Sequence, residues 1–566
     1  MIRVVSALLG SVLAVTVGAA PVGAQTPPQA DDQAEIVVDL DDGEGPEAVA
    51  DVAQALGLTL RPNSHLASAD GVYLTTVPRA RLAQTLRRLR ADADVEAADE
   101  NITYQALFTP NDPMFSDQWG LRRLGVERAW EVTCGAGAVV AVVDTGVACE
   151  NHGDFTRVTD LAGTRCLAGY NFVNHTAHAN DDQGHGTHVA GTIAQTTHNA
   201  LGGAGVAYCA TILPVKVLDA MGRGSLANVA EGIRWAADHG AQVINLSLGG
   251  DGRSRVMAQA VAYARRRGAT VVCAAGNSGR AVGSPANEEG ALAVSAIDDG
   301  DQIAFFSSRG PEVDLAAPGV RIVQQTICER GRNRCEQFAA FSGTSMAAPH
   351  VAGAAALLVS LGVTDPDAVE RLLKGYASQT AHGGAQPELY GAGIVSAERA
   401  AEGVLWHQGV TRAAVLALVS LLLGFWVKSR QGSLSLGWVV PAWLTGVGGF
   451  FLPKFLSHQL PGMELAMRPL ASWDLVLLGA GWHRWLLSAN LVVVFALVGL
   501  GFSKRALRAP IGGVALGIAS YLLSEWWLGW GDAPLGRGLY FGWIALNVVA
   551  SLWVARIGVD RRTADA

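Results

Sequence analysis

From about Gly409 onward the chain changes character, and that change limits its folding options more than any other feature. Apolar runs near 410–427, 436–453, 485–502, 510–530 and 538–556 approach the roughly 20 residues that a helix needs to cross a bilayer. Of the 15 tryptophans, 11 lie beyond residue 410, many at the ends of these runs, where interfacial aromatic belts form. The spacing therefore predicts an all-α bundle of about five spans over 401–566. With the preceding domain outside, Lys428, Arg430, Lys504, Arg505, Arg508, Arg556, Arg561 and Arg562 fall on the inner side. Arg412, Lys454, Arg468, Arg484 and Arg537 fall outside, and eight against five fits the positive-inside rule. The piece 475–480 is too short to span and is expected as an interfacial or re-entrant segment on the outer side. Glu525, near the outer end of its run, is the ionisable residue inside a span.

The N-terminal end reads as an export signal over 1–24. Arg3 gives a positive start, 4–17 is apolar, and Val22-Gly-Ala24 suits a small-residue cleavage site. Seven cysteines, all between 134 and 335, agree with an oxidising compartment. Cys328 and Cys335 lie close together in an Arg-rich loop and are expected to pair. Cys149 and Cys166 bracket another loop and are expected to pair as well, although six cysteines allow 15 connectivities. Cys273 lies inside an apolar strand and reads as a buried thiol. A net charge of −8 and the absence of a basic cluster with interleaved aromatics exclude nucleic acid as a partner.

Between these ends the chain carries its chemistry. The apolar run 138–143 reads as a buried strand that delivers Asp144 to its C-terminal end, where Thr145-Gly146 turns the chain. His185 sits in Gly-His-Gly-Thr-His-Val-Ala-Gly and opens a helix to about residue 194. Ser345, in Gly-Thr-Ser-Met-Ala-Ala-Pro-His, starts a helix over 345–361 that tolerates Pro349 in its first turn. Ala-Ala-Gly-Asn-Ser-Gly follows the strand 269–273 and offers Asn277 as a donor. A serine hydroxyl is a poor nucleophile until a base takes its proton and a third group orients that base. One such segment alone reads as structural. Three in order, each with small flanking residues, point to nucleophilic catalysis. His188 and His350 share these motifs but read as helix residues packed beside the site.

These motifs resemble those of the subtilisin-like serine proteases, the subtilases, over roughly 111–400. Further matches are Phe306-Ser-Ser-Arg-Gly-Pro311, Ala316-Ala-Pro-Gly319 and Tyr390-Gly-Ala-Gly-Ile-Val-Ser-Ala397. The resemblance implies an α/β fold, a doubly wound parallel sheet with flanking helices, over 109–400. It makes Asp144 the orienting acid, His185 the general base and acid, Ser345 the nucleophile and Asn277 the oxyanion donor. Ser247, Leu248 and Gly249 would pair with substrate backbone, and Gly283 would floor the primary pocket. No acidic residue is evident there, so an apolar residue is expected before the scissile bond. Cys134 and Cys209 align with positions that neighbour one another in the family, which implies a third bridge.

The small α+β pattern over 25–108, with strands at 35–40 and 72–77 and helices at 46–56 and 79–90, resembles the family's propeptide. That implies a folding aid and inhibitor carried in the same chain. Catalysis in this family needs no cofactor, but a structural calcium ion is implied. Asp154 falls near its aspartate ligand, and Asn199 with the carbonyls of Leu201 and Gly203 near its loop ligands. Read without the resemblance, these are solvated loop polars, since the loop carries an extra residue and few carboxylates. The whole predicts a serine endopeptidase of the inner membrane, multi-pass, with a periplasmic catalytic domain and a cytoplasmic C-terminus. Its partners are protein or peptide substrates, its own propeptide and membrane lipid. The rival is a membrane transporter or sensor with an inactive subtilase-like binding domain. About a dozen residues (398–409) join the domain to the first span, which predicts short reach and membrane-proximal substrates.

Overall fold

The computed structural model describes residues 33–40, 46–64, 71–101, 109–328, 336–378, 386–429, 436–449, 465, 468–479, 490–501, 503–531 and 537–558. The expected signal, 1–24, lies outside them. The described residues between 33 and 101 form a compact unit of their own. In it an antiparallel sheet of order β2-β3-β1-β4 is built from β1 (Gln33–Leu40), β2 (Arg61–Pro62), β3 (Val72–Pro78) and β4 (Val95–Glu100). Strand β1 alternates buried and half-buried residues, which turns Ile36, Val38 and Leu40 onto helices α1 (Pro46–Leu56) and α2 (Leu82–Leu89).

The second unit opens with two short helices, α3 (Trp119–Leu124) and α4 (Val126–Trp130). A seven-stranded parallel sheet follows, of order β11-β10-β9-β8-β5-β7-β6. Its strands are β5 (Val139–Asp144), β6 (Tyr170–Asn171), β7 (Thr211–Lys216), β8 (Val243–Leu246), β9 (Thr270–Ala274), β10 (Ala291–Ile297) and β11 (Val313–Pro318). Strands β5 and β7 to β10 are apolar almost throughout, as a parallel sheet covered on both faces requires. Val140 and Val142 face one core with Val272 and Ala274, whereas Ala141 and Val143 face the other with Val271 and Cys273. The first core is closed by α5 (His185–Ala194) and α8 (Thr344–Ser360), the second by α6 (Leu226–Asp238) and α7 (Arg255–Arg266). Strand order turns at β5, so the crevice outside its carboxyl end is the expected place for a site. A hairpin of β12 (Ile322–Ile327) and β13 (Glu336–Phe341) leads into α8.

After α9 (Pro366–Gly375) and the one-turn α10 (Pro387–Tyr390) comes α11 (Ala397–Ser429), a single helix of 33 residues. Its first half docks on the sheet domain through Ala397, Ala400, Ala401, Val404, Leu405 and Gln408, buried at helical spacing. Its second half exposes Leu418, Leu422 and Phe425. The connection expected at 398–409 is thus part of one continuous helix. Beyond it lie α12 (Leu436–Gly446), α13 (Trp473–Leu478), α14 (Asn490–Gly501), α15 (Arg505–Leu528) and α16 (Arg537–Gly558). Among the described residues three helices are long and apolar enough to cross a membrane: Ala397–Ser429, Ala506–Leu528 and Tyr540–Ile557. Parts of the second and third expected spans lie outside the described residues. Glu525 is not isolated, because Arg412 donates to it at 2.8 Å, with the two side chains 7% and 5% exposed. The guanidinium also lies 5.0 Å from the centre of the Tyr521 ring.

A disulfide joins Cys134 and Cys209. Cys328 is disulfide-bonded, while Cys335 lies outside the described residues. The expected Cys149–Cys166 bridge is a correction: both are free thiols. Cys166 is fixed beside Ile212 by a parallel bridge and Cys149 is buried in the turn after β5, so the two meet through a hydrogen bond. That bond and burial raise the Cys149 thiol well above its usual range. Cys273 is a buried free thiol, raised by burial and by the charge of Asp314.

Packing along α8 is close. A Cβ on Gly353 would lie 2.5 Å from the Val206 Cβ and 2.8 Å from its Cγ1. Gly353→Ala is therefore expected to destabilise the fold by about 1–3 kcal/mol, read as a lowered unfolding temperature.

Candidate active site

Three elements of the sheet's carboxyl edge and its helices place the residues that the sequence singled out. Asp144 ends β5 and is fully buried. Its Oδ1 accepts the Thr145 N–H at 2.7 Å and lies 2.7 Å from the His185 Nδ1, while Oδ2 is buried with no partner. The Nδ1 therefore carries the proton and Nε2, on the far side of the ring, is the free base. Burial works against the imidazolium, but the charge and hydrogen bond of Asp144, with Asp181 behind them, raise the His185 pKa above the ordinary value.

Sequence reasoning missed the groups that hold this pair. Asp181 Oδ1 accepts from the Thr145 hydroxyl and from the N–H groups of Gln183 and Gly184. Its Oδ2 accepts from the N–H and hydroxyl of Thr187. The Thr145 Oγ1 in turn accepts the Gly186 N–H at 2.9 Å. One buried carboxylate thus ties the turn after Asp144 to the first turn of α5. Lys216, 1% exposed, donates to the Thr145 carbonyl at 2.6 Å, the Leu218 carbonyl at 2.8 Å and Asp182 at 2.7 Å. The available signal was Asp-Asp four and three residues before His185, with a lysine ending an apolar strand.

Ser345 is the second residue of α8 and is partly exposed, although the next fifteen residues are buried. Its hydroxyl donates to the Ser247 carbonyl at 3.1 Å, and the Ser247 hydroxyl donates to the Ser345 carbonyl at 2.7 Å. The serine hydroxyl is thus held against the backbone that leaves β8. Asn277 follows β9 and is exposed. The N–H and hydroxyl of Thr344 both donate to its Oδ1, at 2.8 and 2.9 Å, which turns the Nδ2 donor outward. A Cβ on Gly343 would come within 3.3 Å of that Nδ2 and 3.7 Å of the Ser345 nitrogen. The missing side chain leaves one small volume in front of two N–H donors, the arrangement that stabilises an oxyanion.

Ser247, Leu248 and Gly249 leave the carboxyl end of β8, and Gly249 and Gly250 are exposed. Gly250 and Ser284 exchange backbone hydrogen bonds at 2.8 and 2.9 Å. A Cβ on Gly283 would lie 2.7 Å from the Gly250 carbonyl, so this crossing admits only glycine. His188 is buried, bonds the carbonyls of Ile322 and Ala339, and stacks on Phe341. Burial pulls it down to about 3 and His350 down to about 4, so both are neutral packing residues.

The loop of the expected calcium set has protein partners of its own. Asp154 sits in an exposed turn closed by mutual backbone bonds of His152 and Phe155. The side-chain amide of Asn199 and the N–H of Gly203 point instead at Asp160, joined there by Gln195. Leu201 turns its N–H on the Asn199 Oδ1. Burial pushes Asp160 up to about 6, against those hydrogen bonds. Among the described residues no group of three or more His, Cys, Asp or Glu side chains is gathered for a metal ion.

Residues 135–393 match the model of the Subtilase family, Peptidase_S8. A thermophilic serine proteinase of Bacillus sp. (strain AK1) is 40% identical over 333 residues, 58% of this chain and 79% of that protein. Thermitase of Thermoactinomyces vulgaris is 45% identical over 257 residues, 45% of this chain and 87% of that protein. Subtilisin BL of Lederbergia lenta is 40% identical over 284 residues, 50% of this chain and 97% of that protein.

The pKa of His185, followed by NMR of labelled histidine, is expected above the ordinary histidine value in the intact protein. In Asp144→Asn the attraction is lost while burial remains, so the pKa is expected to fall below that value.

Proposed function

As a member of the subtilase family this chain is a subtilisin-like serine endopeptidase, and we propose that Asp144, His185, Ser345 and Asn277 carry its chemistry outside a membrane that its C-terminal helices cross. The observation that carries the reading is the shared volume before the Asn277 Nδ2 and the Ser345 N–H, with the hydroxyl at the same helix terminus. The Ser345 Oγ attacks the peptide carbonyl as His185 Nε2 takes its proton. The carbonyl oxygen, now an oxyanion, accepts from both donors. His185 then protonates the amine as the C–N bond breaks, leaving an acyl-enzyme that water hydrolyses by the same steps in reverse roles. Asp144 holds the imidazole's tautomer.

Substrate backbone is proposed to pair with Ser247, Leu248 and Gly249, with an apolar side chain entering beside Gly283. Residues 1–24 act as the export signal, 25–108 as a propeptide that assists folding and inhibits, and 401–566 as the membrane domain. Support for the last comes from exposed Leu418, Leu422, Phe425, Leu500, Trp527 and Trp553, an apolar surface that water disfavours and lipid accepts. The charge distribution supports a cytoplasmic C-terminus and a periplasmic catalytic domain.

Three measurements test this. A fluorophosphonate probe is expected to label the processed protein and not Ser345→Ala; equal absence of label favours the inactive binding domain instead. Asn277→Ala is expected to lower kcat by about 10²–10³, the range known for subtilisin itself. Alkaline-phosphatase fusions after Arg508 are expected to be inactive, and activity there overturns the five-span topology.

A further inference from the structure

The helical half meets the catalytic domain at one edge of the parallel sheet, and the candidate active site occupies the other. Arg468 Nη1 donates to the Ser360 carbonyl at 2.5 Å, and Gln408 Nε2 to the Leu361 carbonyl at 2.9 Å, so both hold the C-terminal end of α8. Just beyond, the N–H groups of Thr364 and Asp365 both donate to the Trp530 carbonyl at 2.9 Å. Gly137, immediately before β5, lies so close to α13 that a Cβ would come within 2.4 Å of the Leu475 carbonyl. A cleft of about 1280 Å³ opens at the same level, between Arg265, Gly290 and Glu370 on one side and Tyr540 and Phe541 on the other. Gly137 and Gly290 lie at the amino edge of the strands, Ser360, Leu361 and Arg265 at or just past the C-terminal ends of α8 and α7, and the remaining contacts on the turn from α8 into α9 or on α9 itself.

Asp144, Ser247, Asn277 and Ser345 are at the opposite edge. From Ser345 to Ser360, α8 rises about 22 Å at 1.5 Å per residue. Strand β5 gives an independent measure, about 17 Å from Val139 to Asp144 at 3.3 Å per residue. The two agree that the nucleophile stands roughly 20 Å from the face that rests on the helical half. Because α11 passes from the domain into the first apolar span without a break, no joint lets the domain roll its site downward.

We infer that the active site faces away from the bilayer and selects substrates by height: it cuts soluble chains, and segments of membrane proteins that stand at least about 20 Å off the surface, and spares juxtamembrane stretches. The inference rests on the reading of α11, α15 and α16 as spans. It revises the expectation drawn from the short connection, since the tether is short but the site is at the far end of the domain it holds.

The test reconstitutes the processed full chain in phosphatidylcholine vesicles with single-span reporters. Each reporter carries one unstructured Ala-, Leu- and Phe-rich cleavage segment above a Glu-Ala-Ala-Ala-Lys helical spacer of about five or about twenty-five residues. The long spacer is expected to give cleavage at least tenfold faster than the short one, and a soluble peptide of the same sequence to be cut in both preparations. Equal cleavage of the two reporters, or faster cleavage of the short one, overturns the inference. Loss of soluble-peptide cleavage overturns the assigned catalytic set instead, with Ser345→Ala giving the background. Release of the chain from vesicles by an alkaline wash overturns the membrane reading separately.

Discussion

Ser345 can sit at a partly exposed helix terminus only because the rest of α8 is withdrawn from water. Fifteen consecutive residues, Met346 to Ser360, are buried between the sheet and its neighbours. Small residues (Ala347, Ala348, Ala352, Gly353, Ala354, Ala355 and Ala356) let the helix approach the strands closely, and Val206 fills the space that Gly353 leaves. A helix packed on every side has one position, so the N-terminal turn that carries Thr344 and Ser345 has one position too. Thr344 transmits it to Asn277, and the exchanged hydroxyl bonds of Ser247 and Ser345 transmit it to β8. The oxyanion volume, the hydroxyl and the strand edge are consequences of a single packing arrangement.

Electrostatics supplies what packing cannot. The turn after β5 and the start of α5 are separate in sequence, and each presents polar groups to a dry interior. Asp181 accepts five hydrogen bonds across that gap, which offsets the cost of burying its charge. Lys216 does the same with opposite sign, sharing its ammonium among two carbonyls and Asp182. Asp144 and His185 are thus held by neighbours that are themselves fully bonded.

The segments around Asp144, His185 and Ser345 were legible because each packs its chemistry and its geometry into fewer than ten residues. An apolar run delivers Asp144 to a strand end, and glycines around His185 and Ser345 let backbone crowd in. The parallel sheet was legible for the same reason, in unbroken Val- and Ala-rich strands. Other features depend on partners far away in sequence. Glu525 finds Arg412 across 113 positions, and Arg468 finds the end of α8 across 108, which no local pattern signals. The loop at 199–203 likewise finds partners out of local range, since the Asn199 amide and the Gly203 N–H reach Asp160 across 39 and 43 positions. The expected Cys149–Cys166 bridge shows how sequence proximity finds the right neighbours and still leaves their bonding state open.

The unbroken helix from Ala397 to Ser429 is about 50 Å of one rigid body, rooted at one end among Ala400, Val404 and Gln408. A protease on a slack cord explores a hemisphere around its anchor. One mounted on a shaft can spin about the membrane normal and drift sideways, but any tilt of the shaft carries the whole domain with it. With that shaft as the proposed first span, its collisions with substrate would be governed by the angle at which neighbouring helices seat it in the bilayer. Membrane thickness, through that angle, would become a setting on where the blade points.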